Sequence, residues 1–220
     1  MKEFGPDMDS PRNPQVPTFD LWLATIFNHE LSKPAWYWDS GFDDCWGRLG
    51  MTDGLTVEYM TRLFRDPRAL EHYSDKQVAQ AIWFLIGESS PGRSAYALLN
   101  RDVEIHARVR CVESMKNFFG TFVTQKALGA ADTKHNDLHI SLYMWWDIFP
   151  TYGGPNTGDS ELHDACLKVM SEILSVPNEL CQLSGLHGLN HWHVHHRNRV
   201  EQIVDSFLKD TTKLTPLVIQ

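Results

Sequence analysis

The chain has 220 residues, 42% of them hydrophobic and 22% charged, with a formal net charge of −8. That is enough chain for a real core, and the balance is that of a soluble globular protein rather than a disordered one. The acidic field disfavours nucleic acid and anionic membranes and suits a basic partner. No apolar run reaches the ~18 residues a membrane span needs, and "MKEFGPDMDSPRNPQVPTFD" has no apolar signal core, so the expectation is a cytoplasmic protein, or one exported by a route that needs no classical signal.

Residues 1–17 are rich in Pro, Asp and Asn, lack periodicity, and read as a flexible arm before a single all-α domain over 18–220. Thr18 can cap a helix whose apolar positions are Phe19, Leu23, Ile26 and Phe27. "KPAWYWDSGFDDCWGRLGMTDG" (33–54) mixes aromatics, Asp, Gly and Pro without sustained periodicity, and reads as a long aromatic loop of a kind that is often functional. Thr56 can cap a helix carrying Val57, Met60, Leu63 and Phe64. "SDKQ" (74–77) is a capping box ahead of Val78, Ala81, Ile82, Leu85 and Ile86.

Asp102 can cap a long helix with Ile105, Val109, Val112, Phe119 and Val123 on one side, closed by Gly129. "DLHISLYMWWDIF" (137–149) is apolar nearly all round and should be buried. "PTYGGPNTG" (150–158) is a loop. Asp159 or Ser160 starts a helix through Leu174, and Pro177 precedes another that runs to about His195. "NRVE" (198–201) offers a second capping box for a last helix with Val200, Ile203, Val204, Phe207 and Leu208. Short connections between helices imply antiparallel neighbours. "SELHDACLKVMSEIL" and "NELCQLSGLHGLNHW" echo each other 18 residues apart, the kind of spacing stacked helical repeats give. No segment alternates as a sheet would, so the expected fold class is all-α.

Two resemblances attach to these segments. "LCQLSGLHGLNHWHVHHRNRVEQIVDSFLKD" (180–210) resembles one helical pair of a HEAT-like array. "PAWYWD", "VEYMTRLF", "SDKQVAQAIWFLI" and "LHGLNHW" are similar to a group of uncharacterised bacterial helical proteins. Both imply an α-α superhelix of stacked antiparallel helices; neither implies an activity.

Five of the chain's 11 histidines lie between Gly185 and His196. His187 and His191 are spaced as zinc ligands on one helix face. Gly188, however, occupies the position where the zinc-protease pattern needs Glu. His195 lies roughly 12 Å of helix from His187 and cannot share one ion with both. Further ligands would have to come from Asp147, Asp164, Glu201 or Asp205, which the sequence does not place. A scaffold role for these histidines is therefore favoured over a metal role. Gly185, Gly188 and Trp192 share a flank where another helix can approach closely.

His163–Asp164, with His135 or His139 upstream and Asp205 downstream, matches the residue types of HD-type phosphohydrolases but not their context. His29–Glu30 is weaker still. Cys45, Cys111, Cys166 and Cys181 form no CxxC pair and read as reduced thiols, three of them in helical patterns. Phosphate loops and nucleophile elbows are absent from the sequence.

By subtraction, the expected function is a non-enzymatic protein-interaction module without a cofactor, of the kind that neutralises a basic toxin as an immunity protein does. Trp36, Trp38 and Trp46 would anchor the interface, and Asp39, Asp43 and Asp44 would complement a basic partner. The alternative is a metal-dependent hydrolase or oxygenase that holds a transition metal such as zinc on His187 and His191.

Overall fold

The structure is a computed structural model that describes residues 16–87, 94–127, 136–157, 159–210, 212, 214 and 215. Residues 1–15 of the expected arm, together with Gly129 and His135, lie outside the described residues. The fold is all-α, and the described residues contain no strand.

The helices are α1 (Phe19–Phe27), α2 (Ser40–Leu49), α3 (Asp53–Arg65), α4 (Asp75–Ile86), α5 (Ile105–Phe118), α6 (Thr124–Ala127), α7 (Asp137–Tyr143), α8 (Trp145–Ile148), α9 (Ser160–Leu174) and α10 (Glu179–Lys209). Thr18 caps α1, accepting the Leu21 N–H at 3.2 Å. Ser74 and Gln77 form the reciprocal capping box of α4. No helix among the described residues is long and apolar enough to cross a membrane.

Contacts between elements define two layers. Within the first, Asn100 donates to Asp53 at 2.7 Å and Phe64 meets Phe118 at 5.8 Å, so α3 and α5 run the same way. Arg108 pairs with Asp159 at 2.7 Å and Lys168 with Glu113 at 2.7 Å, so α5 and α9 also run the same way. The second layer holds α4, α7–α8 and α10. Ser184 of α10 donates to the Leu142 carbonyl at 2.8 Å, and His191 meets Asp147 at 3.1 Å, again with numbers rising together. Between the layers α9 and α10 are antiparallel: a Cβ on Gly185 would meet Leu174, one on Gly188 would meet Met170, and Trp192 faces His163.

Large aromatics fill the space between layers. Trp145 is fully buried and lies 5.6, 5.2 and 5.4 Å from the rings of Phe64, Phe118 and Phe119. After α5 the backbone widens into a π-turn over Phe119–Val123. That turn lets Phe118, Phe119 and Phe122 all face the core, as their exposures of 1, 0 and 3% show.

Several local expectations are corrected. The 33–54 segment is not one long loop: Trp36–Trp38 is a 3₁₀ turn and Ser40–Leu49 is helical. Asp39 caps α2 by accepting the Gly41 N–H at 2.7 Å, and Gly50 ends it at φ 68°. Gly41 and Gly47 hide the helical signal, which the Phe42–Trp46 pair, four residues apart, carries alone. α3 is capped by Thr52, one turn earlier than Thr56, which is buried inside the helix. α5 starts after Glu104 because the Asp102 N–H is held by Asn100 in a turn. α7 and α8 are two helices rather than one, separated at Met144.

No second capping box forms at Asn198 among the described contacts. Glu201 instead accepts from Arg197 at 2.8 Å and meets His193 at 3.3 Å. The run Glu179–Lys209 is two helices joined by a kink at His196 (φ −128°, ψ 36°), where the sequence leads one helix to end and the last to begin. That bend lets the His196 ring donate to the Gly153 carbonyl at 3.0 Å, while His163 bonds the Thr157 carbonyl at 3.1 Å. Together they clasp the 150–157 loop against α9 and α10.

Gly188 tests the packing. A Cβ there would sit 2.5 Å from the Trp146 Cβ and 2.8 Å from the Met170 sulfur. Gly188→Ala should cost about 1–3 kcal/mol. Gly47 of α2 has nothing within 4 Å of its Cβ position, so Gly47→Ala should stabilise by about 0.5–1 kcal/mol. Urea denaturation midpoints at unchanged slope check both.

The clasp predicts a pH dependence. Burial pushes His139 and His196 below the ordinary imidazole value of 6.5, against a smaller opposing pull from the Gly153 carbonyl on His196. The unfolded chain therefore takes up these protons first. The stabilisation is complete above 6.5 and is lost as pH falls through the lowered folded values. The urea midpoint should be lower at about pH 5.5 than at about pH 7.5, and less so in His196→Gln, which keeps a side-chain N–H for Gly153.

Candidate metal centre

α10 lies close against α9 because Gly185 presents no side chain to Ile173, Leu174 and Met170, and close against α8 because Gly188 presents none to Trp146. This close approach turns the next face of α10, which carries His187 and His191, toward the end of α7 and toward α8. Asp147, in the middle of α8, completes a cluster: one ligand atom from each of Asp147, His187 and His191 lies within 4.8 Å of the others. The His191 Nε2 and the Asp147 Oδ1 are 3.1 Å apart, with both side chains about one-quarter to one-third exposed.

The aromatic surroundings fix the ring planes. Tyr143 packs on His187 at 4.2 Å between centroids, and Tyr152 stacks on His191 at 5.9 Å. The Tyr152 hydroxyl donates to the Asp147 backbone carbonyl at 3.0 Å, which ties the 150–157 loop to the cluster. The two imidazoles meet edge-to-face at 4.8 Å. The His187 Nε2 is buried and has no hydrogen-bond partner. Burial, and secondarily the neighbouring His191, hold His187 below the usual imidazole range, with Asp147 pulling the other way. Its neutral form, which carries the lone pair a metal needs, is therefore favoured.

The residue types of the donor set are those of a transition-metal site. Ligand atoms 2.0–2.2 Å from a tetrahedral ion lie roughly 3.4 Å apart; the Asp147–His191 separation is 3.1 Å, and the three ligand atoms together spread over as much as 4.8 Å. Three protein ligands at a partly exposed surface would leave coordination positions open. Asp147 is the sole ligand from the sequence-derived set of Asp147, Asp164, Glu201 and Asp205 that reaches His187 and His191. Asp164 faces away and pairs with Arg199. Glu201 is engaged by Arg197 and His193. Asp205 is exposed on the far half of α10.

The other candidate sites do not assemble in the described residues. His163 turns inward to the Thr157 carbonyl while its neighbour Asp164 turns out to Arg199, so the His–Asp pair does not converge. His139 is buried, with its Nε2 unpartnered. His29 stacks on Trp36 at 3.9 Å, whereas Glu30 is exposed. All four cysteines are free, and burial pushes the Cys111 and Cys181 thiols up to about 12 and Cys166 higher still. Protonated thiols of that kind are poor nucleophiles. Cys45 is exposed.

The aromatic segment divides. Trp36, Phe42 and Trp46 are 8, 6 and 6% exposed and pack around Phe84. Trp38 is 62% exposed. Asp39 is exposed and committed to capping α2. Asp43 and Asp44 lie on α2, and their side chains are outside what the structure describes.

No protein-family model matches the chain, and neither does any curated protein or solved structure.

Proposed function

We propose that Asp147, His187 and His191 bind a divalent transition-metal ion, and that the protein is a metal-dependent hydrolase built on a helical scaffold. The observation that carries this reading is the convergence of two imidazoles and a carboxylate from facing helices, with the His187 Nε2 left without another partner. Two histidines and one carboxylate with an open position form a zinc-hydrolase ligand set, and zinc so held lowers the pKa of bound water to about 7. The protein's own part is to hold His191 and Asp147 3.1 Å apart and to keep His187 neutral. Tyr143 and Tyr152 wall the cluster on its outer side. The parallel order within each layer and the antiparallel α9–α10 pair support reading the scaffold as an α-α superhelix of HEAT-like pairs.

Protein purified without a histidine tag should carry close to one equivalent of transition metal by elemental mass spectrometry. Asp147→Ala, His187→Ala or His191→Ala should each lower metal affinity by about 100-fold or more with helical circular dichroism unchanged. Iron in place of zinc would redirect the reading to an oxygenase, since the same ligand set serves non-haem iron. Metal-free protein that takes up neither ion would reduce the cluster to an Asp147–His191 hydrogen bond.

Exposed Trp38 supports a second reading, a non-enzymatic interaction module that neutralises a basic protein in the manner of an immunity inhibitor. Trp36 and Trp46, being core, have no direct part in it. A complex with a basic partner should weaken about tenfold or more in Trp38→Ala. Unchanged affinity would remove this surface from consideration.

A further inference from the structure

The outer surface of the second layer carries a groove lined in part by α7, the helix before the one that bears Asp147. It is lined by Leu31, Lys33, Tyr37, Lys76, Trp83 and Ile140 among others, and encloses about 630 Å³. That volume is in the range of small-molecule sites. Its walls are apolar where Leu31, Tyr37, Trp83 and Ile140 meet. Its charged rim holds the Lys33 and Lys76 ammonium groups against the single carboxylate of Asp137. Neither lysine forms an ion pair with a described residue, and the groove is thus a cationic spot on a chain of net charge −8.

The groove is lined in part by α7, and the cluster takes Asp147 from α8, the next helix. Asp137, Ile140, Tyr143 and Asp147 recur every three or four residues, so they follow one outward stripe interrupted only by the turn at Met144. From Ile140 to Asp147 the stripe rises roughly 10 Å. Exposed apolar side chains stand at both ends of the stripe: Leu31 and Ile140 in the groove, and Tyr143 and Tyr152 against the two histidines. An exposed apolar path of this kind marks a binding surface.

We propose that this groove is the substrate-recognition half of the Asp147–His187–His191 centre, taking an elongated amphiphile whose carboxylate head meets Lys33 and Lys76 and whose apolar body runs over Ile140 and Tyr143 toward the metal. This rests on the metal-centre reading above. The charge fixes which end of the ligand enters, and the length of the stripe fixes the reach. The bond transformed at the centre lies some ten ångströms from the head, that is, at the far end of the apolar body.

Decanoate and its uncharged counterpart decanol, titrated calorimetrically into the full-length protein, test the groove, with metal content measured on the same samples. Decanoate should bind, and decanol about tenfold or more weaker. Lys33→Glu/Lys76→Glu should lose about tenfold or more in decanoate affinity, and Ile140→Asp should weaken both ligands. Both variants should retain the metal content of the wild type. His187→Ala should lose the metal and still bind decanoate. Equal affinity for the two ligands, or decanoate affinity unchanged in the lysine variant, would overturn the proposal. Lysine-dependent decanoate binding by a protein that takes up no metal would overturn its link to catalysis and the hydrolase reading together, leaving a carrier site. Metal binding without any decanoate binding would overturn the groove alone.

Discussion

The candidate centre depends on two missing side chains. Gly185 and Gly188 sit one turn apart on the flank of α10 that meets α9 and α8, and at Gly188 even a methyl group would enter Trp146 and Met170. Close packing gives back the dispersion energy that an empty helix face forgoes, provided the facing side chains are large and well fixed. Trp146 and Met170 are both fully buried and meet that condition. The consequence is geometric: Asp147, the residue after Trp146, is brought to 3.1 Å from His191, one turn past the glycine. A wider helix spacing would leave the carboxylate in water and the histidines as ordinary half-buried rings.

The second constraint is the aromatic fill between layers. Trp145 touches Phe64 of α3, Phe118 of α5 and Phe119 of the π-turn, so one residue of the short α8 is keyed into the first layer from three sides. α8 spans only Trp145–Ile148, and so short a helix has no stability of its own. Its position comes from Trp145 on one side and Trp146 on another, with Asp147 following from both. The clasp of His163 and His196 then holds the 150–157 loop, and with it Tyr152, over the cluster.

How far the sequence discloses this can be traced through particular residues. The α1 cap at Thr18, the α4 capping box and the Gly185–Gly188–Trp192 flank are local patterns, set by neighbours within a turn or two, and the structure contains them. α2 escaped because Gly41 and Gly47 mask a helix held by tertiary burial of Phe42 and Trp46. The 33–54 aromatics suggested an interface because their residue types suit both interfaces and cores; only the packing on Phe84 places Trp36 and Trp46 inside. The His187–His191 spacing was visible, but Asp147 lies 40 or more residues away on another helix. The side on which a carboxylate approaches is a property of helix packing, which no short motif encodes. The groove carries no sequence signal at all, since its lining comes from three separated segments.

The bend at His196 separates two kinds of histidine on one helix. Before it, His187 and His191 keep helical spacing and project together toward α8. At the bend, the backbone leaves the helical region and the ring of His196 reaches the Gly153 carbonyl. Had the helix continued straight, His196 would fall on a different face and the 150–157 loop would lose one of its two histidine anchors. Tyr152, whose hydroxyl holds the Asp147 carbonyl, is adjacent to Gly153 in that loop. The departure from helical geometry at one residue therefore supports the placement of Asp147 through the loop it secures, and the cluster and the clasp form one connected device rather than two groups of histidines.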